Sequence, residues 1–210
     1  VVVMRDGKEE TITIKIADVL ERPEEAPAVI ESLITGRTRL IALSHVSFLT
    51  GAVLPVREIC EVAHRKGVLV LVDGAQSFGA IPVNVRELGV DFYAVPGQKW
   101  LCGPEGTGAL YVSQAALSQV QVTFAGYGTA EAYNVYSGFL PWGNARRFEH
   151  DTMQPANLAG QLAACRWLTE DVGLEWAFHR IQTLAAMARR LLGAVPGVKV
   201  LTPERTAGLV

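Results

Sequence analysis

Short runs without a polar position alternate along this chain with longer segments whose apolar residues recur every three or four places. "TRLIALS" (38–44), "VLVLVD" (68–73) and "DFYAVP" (91–96) are apolar runs of strand length. The second, lacking any polar alternation, reads as a strand buried on both faces. "TGALYVS" (107–113) reads as a further buried strand, and "ETITIKI" (10–16) as a strand with period-two alternation. Between them, "EEAPAVIESLIT" (24–35) carries helical spacing. "PVREICEVAHRKG" (55–67) opens on a proline suited to a first helical turn and closes on basic residues and a glycine. "VNVRELGV" (83–90) is a shorter helix candidate. This order predicts an α/β fold with a mostly parallel central sheet flanked by helices. Ligands on such sheets sit beyond the carboxyl ends of the strands.

From 124 to 152 the pattern gives way to Gly, Tyr and Asn, which predicts a long loop or hairpin of the kind that builds sites. "QPANLAGQLAACRWLTEDVG" (154–173) and "LEWAFHRIQTLAAMARRLLGAVPG" (174–197) are amphipathic helices, the second stopping at Gly193 and Pro196. A small second domain is expected to begin near residue 169. The chain opens inside an apolar "VVV" and closes on "RTAGLV", which looks like a turn entering a strand. Each end would leave an unpaired apolar segment, so the chain reads as an internal part of a longer protein.

Composition removes several function classes. The 210 residues suit one α/β core, or most of one domain and the start of another. Lys and Arg number 19 against 21 Asp and Glu. No basic cluster is larger than a pair such as Arg146-Arg147 or Arg189-Arg190, so there is no footprint for nucleic acid. No apolar run is long enough to cross a bilayer, and "VVVMRDGKEE" lacks the features of a signal peptide. The expected partner is a small molecule or a protein, the expected compartment the cytoplasm. Cys60, Cys102 and Cys165 are odd in number and widely spaced, which argues for reduced thiols rather than a disulfide framework or zinc site.

Two charged residues follow buried strands. Asp73 ends "VLVLVD" and Lys99 follows "DFYAVP", so both emerge on one edge of the sheet. Asp73 has two readings: it caps the next turn through the amides of Gly74, Ala75 and Gln76, or it holds a positive ring nitrogen in a low-dielectric pocket. Lys99, hemmed by Pro96, Trp100 and Cys102, is either a solvated surface charge or a shielded amine able to attack an aldehyde. Taken together they match what pyridoxal phosphate requires: a lysine for the imine, an acid for the pyridine nitrogen and polar groups for the phosphate.

The stretch "LVDGAQSFGAIPVNVRELGVDFYAVPGQKWLCGPEGTGALYV" resembles the cofactor core of the class V aminotransferases, the family of cysteine desulfurases, cystine lyases and isopenicillin epimerase-like enzymes. "SHVSFLTGAVLPVREICEVAHRKG" upstream and "RFEHDT" downstream are similar to the same family, so the likeness runs from about residue 38 to the end. The resemblance implies a large domain of the fold-type-I pyridoxal-phosphate enzymes over 1–168 and the start of a small α+β domain over 169–210. It implies that Asp73 pairs with the pyridine nitrogen, Gln76 bonds the ring oxygen, Lys99 carries the cofactor as a Schiff base and Gln98 touches the phosphate. Thr152 would cross a dimer interface to the neighbouring subunit's phosphate, which implies a homodimer. The implied activity is that of a transferase or lyase acting on an amino acid.

Phe48 stands where desulfurases carry asparagine, a place where cystine lyase-like relatives tolerate an aromatic. Pro96 replaces a small, often hydroxyl-bearing residue that helps to hold phosphate. Cys102 reads as a buried packing residue rather than a nucleophile. His45 is a site residue or a hydrogen-bonded structural histidine. Arg146 and Arg147 bind an anion or form salt bridges, and Trp100 and Trp142 are expected to pack near the pocket. Two rival readings are a non-catalytic scaffold relative, and a nucleotide-phosphate loop at "GPEGTG", which matches neither known glycine fingerprint and precedes a strand.

Overall fold

A computed structural model describes residues 2–5, 8–11, 22–134, 136 and 138–210. Strands β1 (Val2–Arg5), β2 (Lys8–Thr11), β3 (Thr38–Ser44), β4 (Leu69–Asp73), β5 (Phe92–Pro96) and β6 (Gly108–Val112) form one sheet in the order β2-β1-β3-β4-β5-β6. The expected α/β architecture is present, with parallel pairing at its centre. Leu40–Ser44 runs alongside Leu69–Asp73, and Leu71–Asp73 alongside Phe92–Ala94. The flanks are antiparallel: β1 pairs with β2 and β3, and β6 with β5. Residues 97–107 contain no helix to carry a crossover, so β6 returns beside β5 in the opposite sense.

Three expectations change. Val2–Arg5 is a strand paired on both sides, not an unpaired apolar segment. The strand expected at 10–16 is observed as Lys8–Thr11, and its remainder lies outside the described residues. β6 is an edge strand, so Gly108, Ala109 and Leu110 are exposed rather than buried on both faces.

Alternation along β4 and β5 divides the core. Val70, Val72, Tyr93 and Val95 join Ile41 on one face, under helix α1 (Ala26–Leu33) and helix α2 (Val56–Arg65). Leu69, Leu71 and Phe92 turn to the other face, against Val112, Leu117 and Phe148. α2 buries Val56, Ile59, Cys60, Val62 and Ala63 and turns Arg57, Glu58, Glu61 and Arg65 outward. Each valine or isoleucine side chain among them contributes about 1.5–3 kcal/mol on full burial. Gly67 ends α2 in the left-handed region (φ 69°), which lets Val68 donate to the Ala63 carbonyl at 3.0 Å and start β4.

At the amino end of β5, buried Asp91 accepts from the Val70 amide and from His64 Nε2, each at 2.8 Å, and from Ser113 Oγ at 3.4 Å. One carboxylate thereby joins α2, β4 and the residue after β6.

Helix α3 (Val85–Leu88) and helix α4 (Gln114–Leu117) are single turns. The long loop holds a hairpin of β7 (Ala130–Asn134) and β8 (Gly138–Pro141). Arg147 ties it down, donating from Nε to the Trp142 carbonyl at 2.7 Å and from Nη1 to the Leu117 carbonyl at 3.2 Å. Helix α5 (Pro155–Arg166) passes through a π-helical turn, Trp167–Val172, into helix α6 (Leu174–Gly193). The apolar positions of this arm are largely exposed, including Leu162, Trp167 and Trp176. The expected closing strand is a single bridge, Thr206 to Ala52, with Ala207 donating to the Gly51 carbonyl at 3.1 Å.

Candidate functional site

The three parallel strands deliver their carboxyl ends to one edge, and the sequence there stops being apolar. The ladder runs one step past the strands: the His45 amide donates to the Asp73 carbonyl at 3.0 Å and the Gly74 amide to the Ala94 carbonyl at 2.8 Å. His45, Asp73 and the turn carrying Lys99 are therefore fixed to neighbouring strand ends.

Asp73 is exposed, and its Oδ1 accepts from the Ala75 amide at 2.8 Å. The capping reading is thus realised in part, and Oδ2 takes no hydrogen bond among the described residues. The turn that follows closes tightly, with Ser77 and Phe78 donating to the Gly74 carbonyl at 3.1 and 2.9 Å. Residue 74 must be glycine because any Cβ would overlap the Tyr93 ring. Gln76, half-buried on this turn, accepts from Trp100 Nε1 at 3.0 Å. That bond links the Asp73 turn to the neighbour of Lys99.

The Lys99 turn is held by backbone bonds. Gly97 donates to the Thr107 carbonyl at 2.8 Å, Gly103 to the Gly97 carbonyl at 2.9 Å and Cys102 to the Lys99 carbonyl at 3.0 Å. Gln98 and Lys99 are exposed, so the shielding expected for this lysine is not provided by its own turn, which projects it from the sheet edge. Cys102 also departs from expectation. Its backbone lies in the left-handed region (φ 56°) and its side chain is exposed, because the tight closure of the turn points it away from the core.

The glycines of "GPEGTG" serve helix α5. Gln161 Oε1 accepts from Thr107 Oγ1 at 2.7 Å and sits where a Cβ on Gly97 or Gly103 would have to be. Asn157 donates to the Glu105 carbonyl at 3.0 Å. A loop filled by a glutamine and followed by an antiparallel strand is no nucleotide-phosphate loop.

Thr152 is exposed, and its amide bonds the Asp151 side chain at 2.7 Å. No hydrogen bond joins it to Asp73, Gln76 or Lys99 among the described residues. Arg146 lies over the Trp142 ring at 4.4 Å, and Arg147 is engaged by carbonyls, which favours structural roles for the pair.

His45 is a buried, hydrogen-bonded residue: its Nδ1 lies 2.9 Å from the Tyr93 hydroxyl, which lies 2.6 Å from Ser77 Oγ. Burial, reinforced by the charge of Arg205, lowers the imidazole pKa to about 4, so the ring is neutral near pH 7. Burial raises the Tyr93 phenol to about 12. The sequence reading passed over Tyr93, Ser77 and Gln161. A signal existed for Tyr93, since a phenol in a buried apolar run needs a hydroxyl partner. A cavity of about 360 Å³ between Phe78, Leu101, Leu168 and Phe178 is apolar and includes none of Asp73, Gln76 and Lys99.

The family model described as Aminotransferase class-V matches residues 2–210. The chain is 37% identical over 201 residues to a probable cysteine desulfurase of Halalkalibacterium halodurans, covering 94% of this chain and 45% of the relative. It is 30% identical over 201 residues to the isopenicillin N epimerase of Streptomyces clavuligerus, covering 91% and 50%. Among solved structures, the cystine C-S lyase C-DES in complex with its reaction product cysteine persulfide superposes with a TM-score of 0.74 at 35% identity, over 81% of this chain and 46% of that one. The chain thus spans about half the length of these relatives.

Proposed function

Because this chain belongs to the class-V aminotransferase family, we propose that it forms the cofactor-binding part of a pyridoxal-phosphate enzyme that acts on an amino acid, of the cysteine desulfurase or cystine C–S lyase kind. One observation carries the reading: Asp73 and Gln76 share a sheet edge with Lys99, and the Gln76–Trp100 bond joins their two turns.

The residues present fit the cofactor. Asp73 is pinned through one carboxylate oxygen and presents the other, which suits it to keep a proton on a pyridine nitrogen. The carbonyl of Gln76 is taken by Trp100, which leaves its amide nitrogen to donate to a ring oxygen. Lys99 supplies the primary amine that holds the cofactor and then moves a proton at Nζ to and from the substrate carbon. Gln98 is the proposed phosphate contact beside it. When bound, pyridoxal phosphate supplies an electron-withdrawing ring that delocalises the charge left at the substrate carbon. Phe48, 69% exposed beyond β3, presents apolar surface at the position where desulfurases carry an amide, and this favours the lyase side of the family.

Thr152 is further proposed to act in a homodimer on the neighbouring subunit's phosphate, in the cytoplasm, with a second small domain starting near residue 169. The test is the visible spectrum of the protein carrying this chain, with added pyridoxal phosphate, before and after borohydride. An absorbance band that is lost in Lys99→Ala, with reduced cofactor fixed to the Lys99 peptide, is expected. A folded wild-type protein with no such band refutes the proposal.

A further inference from the structure

The hydroxyls beneath the Asp73 turn allow one proton assignment that satisfies every contact. Ser77 Oγ lies 3.2 Å from the Gly74 carbonyl, an acceptor only, so Ser77 donates its one proton there. The Tyr93 hydroxyl must then donate to Ser77 across their 2.6 Å contact. With its proton so placed, Tyr93 can only accept from His45, and Nδ1 of that ring must carry the hydrogen across 2.9 Å. The chain runs one way, from the ring after β3 through a phenol on β5 to the carbonyl after β4. The neutral state of both His45 and Tyr93 is consistent with it.

We propose that Tyr93 is a positioning residue whose buried hydroxyl, fed by the His45 Nδ1–H and donating to Ser77, fixes the Gly74–Ser77 turn and through it the Asp73 carboxylate and Gln76 amide that meet the cofactor. The Tyr93 ring fills the space that Gly74 leaves, so ring and hydroxyl together set where the turn sits. The Gly74 carbonyl also accepts the Ser77 and Phe78 amides, which makes it the point on which the turn closes. Tyr93 is 1% exposed and cannot itself touch a ligand at the edge.

This inference rests on the cofactor reading above, and two measurements separate them. The tautomer of His45, read from ¹⁵N shifts of the histidine-labelled protein without cofactor, should be Nδ1–H; an Nε2–H ring overturns the chain of donors. Pyridoxal phosphate is then titrated into wild type, Tyr93→Phe, Ser77→Ala, the double variant and Asp91→Asn, which weakens the opposite end of β5. Losing one such bond should weaken cofactor binding about tenfold in either single variant. The double variant should be no weaker than the singles, because both act on one chain. The absorbance maximum of the bound cofactor should move in these three and stay in Asp91→Asn. Wild-type affinity and spectrum in Tyr93→Phe would overturn the proposal. Ser77→Ala decides it by the same criteria should Tyr93→Phe not fold. A wild type that binds no cofactor sinks the functional reading instead, and the tautomer still tests the chain of donors.

Discussion

Acid should unfold this protein through His45 in particular. The imidazole is 5% exposed and its pKa is lowered from 6.5 to about 4 by burial and then by Arg205. Above pH 6.5 the ring is neutral in both folded and unfolded chains, and its stabilising contacts are complete. As the pH falls below 6.5 the unfolded chain takes up a proton that the folded chain refuses until about pH 4, so stability is lost across that window. At about 1.4 kcal/mol per tenfold change in proton affinity, the full loss is about 3 kcal/mol. With a urea dependence of about 2 kcal/mol per molar, the unfolding midpoint should fall by about 1.5 M. Other groups titrate in the same range, so the informative quantity is the difference between wild type and His45→Asn. Asparagine keeps a donor near the Nδ1 position and has no proton to gain. Urea unfolding at pH 7.5, 6, 5 and 4.5 should show the wild-type midpoint dropping faster than that of the variant. Parallel pH profiles would refute the assignment of a buried, neutral His45. Glutamine, which mimics the other ring nitrogen, should be tolerated less well than asparagine at every pH.

At the alkaline end the sign reverses, because the folded state holds protons at Tyr93 and Cys60, both raised to about 12, that the unfolded chain releases near pH 10 and 9; the unfolding midpoint should fall steadily above pH 9, and a flat profile to pH 11 would contradict it. Asp91→Asn should cost about 2 kcal/mol, seen as a lower melting temperature, since charge-assisted bonds to Val70 and His64 become neutral ones. Gly103→Ala should destabilise the protein through overlap with Gln161 and should cost much less in a Gln161→Ala background; additive effects in the melting temperatures would remove Gln161 from that space. In the native protein a thiol reagent should modify exposed Cys102 first and leave Cys60 untouched until unfolding, which peptide mapping checks.

The central fold was legible because buried parallel strands have a composition of their own. "VLVLVD" and "DFYAVP" carry no polar alternation, and each became a strand with both faces covered. Helix α2 announced itself by its proline entry and glycine exit and was observed within a residue or two of both. The flanks were less legible for a physical reason: edge position is a property of the sheet, not of the strand. "TGALYVS" is as apolar as its neighbours, yet nothing within it records that only one strand lies beside it. The arm of α5 and α6 shows the same limit, since an apolar stripe says that a face is suited to burial without saying against what.

At the site, the residues proposed to meet a ligand were readable and those that hold them in place were not. Asp73 and Lys99 stand out because a charge after a buried strand interrupts a pattern. Tyr93, Ser77 and Gln161 interrupt nothing, because their partners lie elsewhere in the chain. Tyr93 meets His45 48 positions away, and Gln161 meets Thr107 54 positions away. Each acts at a glycine that looked like a loop residue. Gly74 makes room for the Tyr93 ring, and Gly97 and Gly103 make room for the Gln161 amide. The glycines around Asp73 and Lys99 are therefore read best as the imprint of two side chains, buried Tyr93 and half-buried Gln161, that approach the turns from behind. Each turn is closed by its own backbone bonds and backed by one distant polar side chain. The Gln76–Trp100 bond connects the two, so a disturbance at Tyr93 should reach the Lys99 turn through Gln76, whereas one at Gln161 reaches it directly.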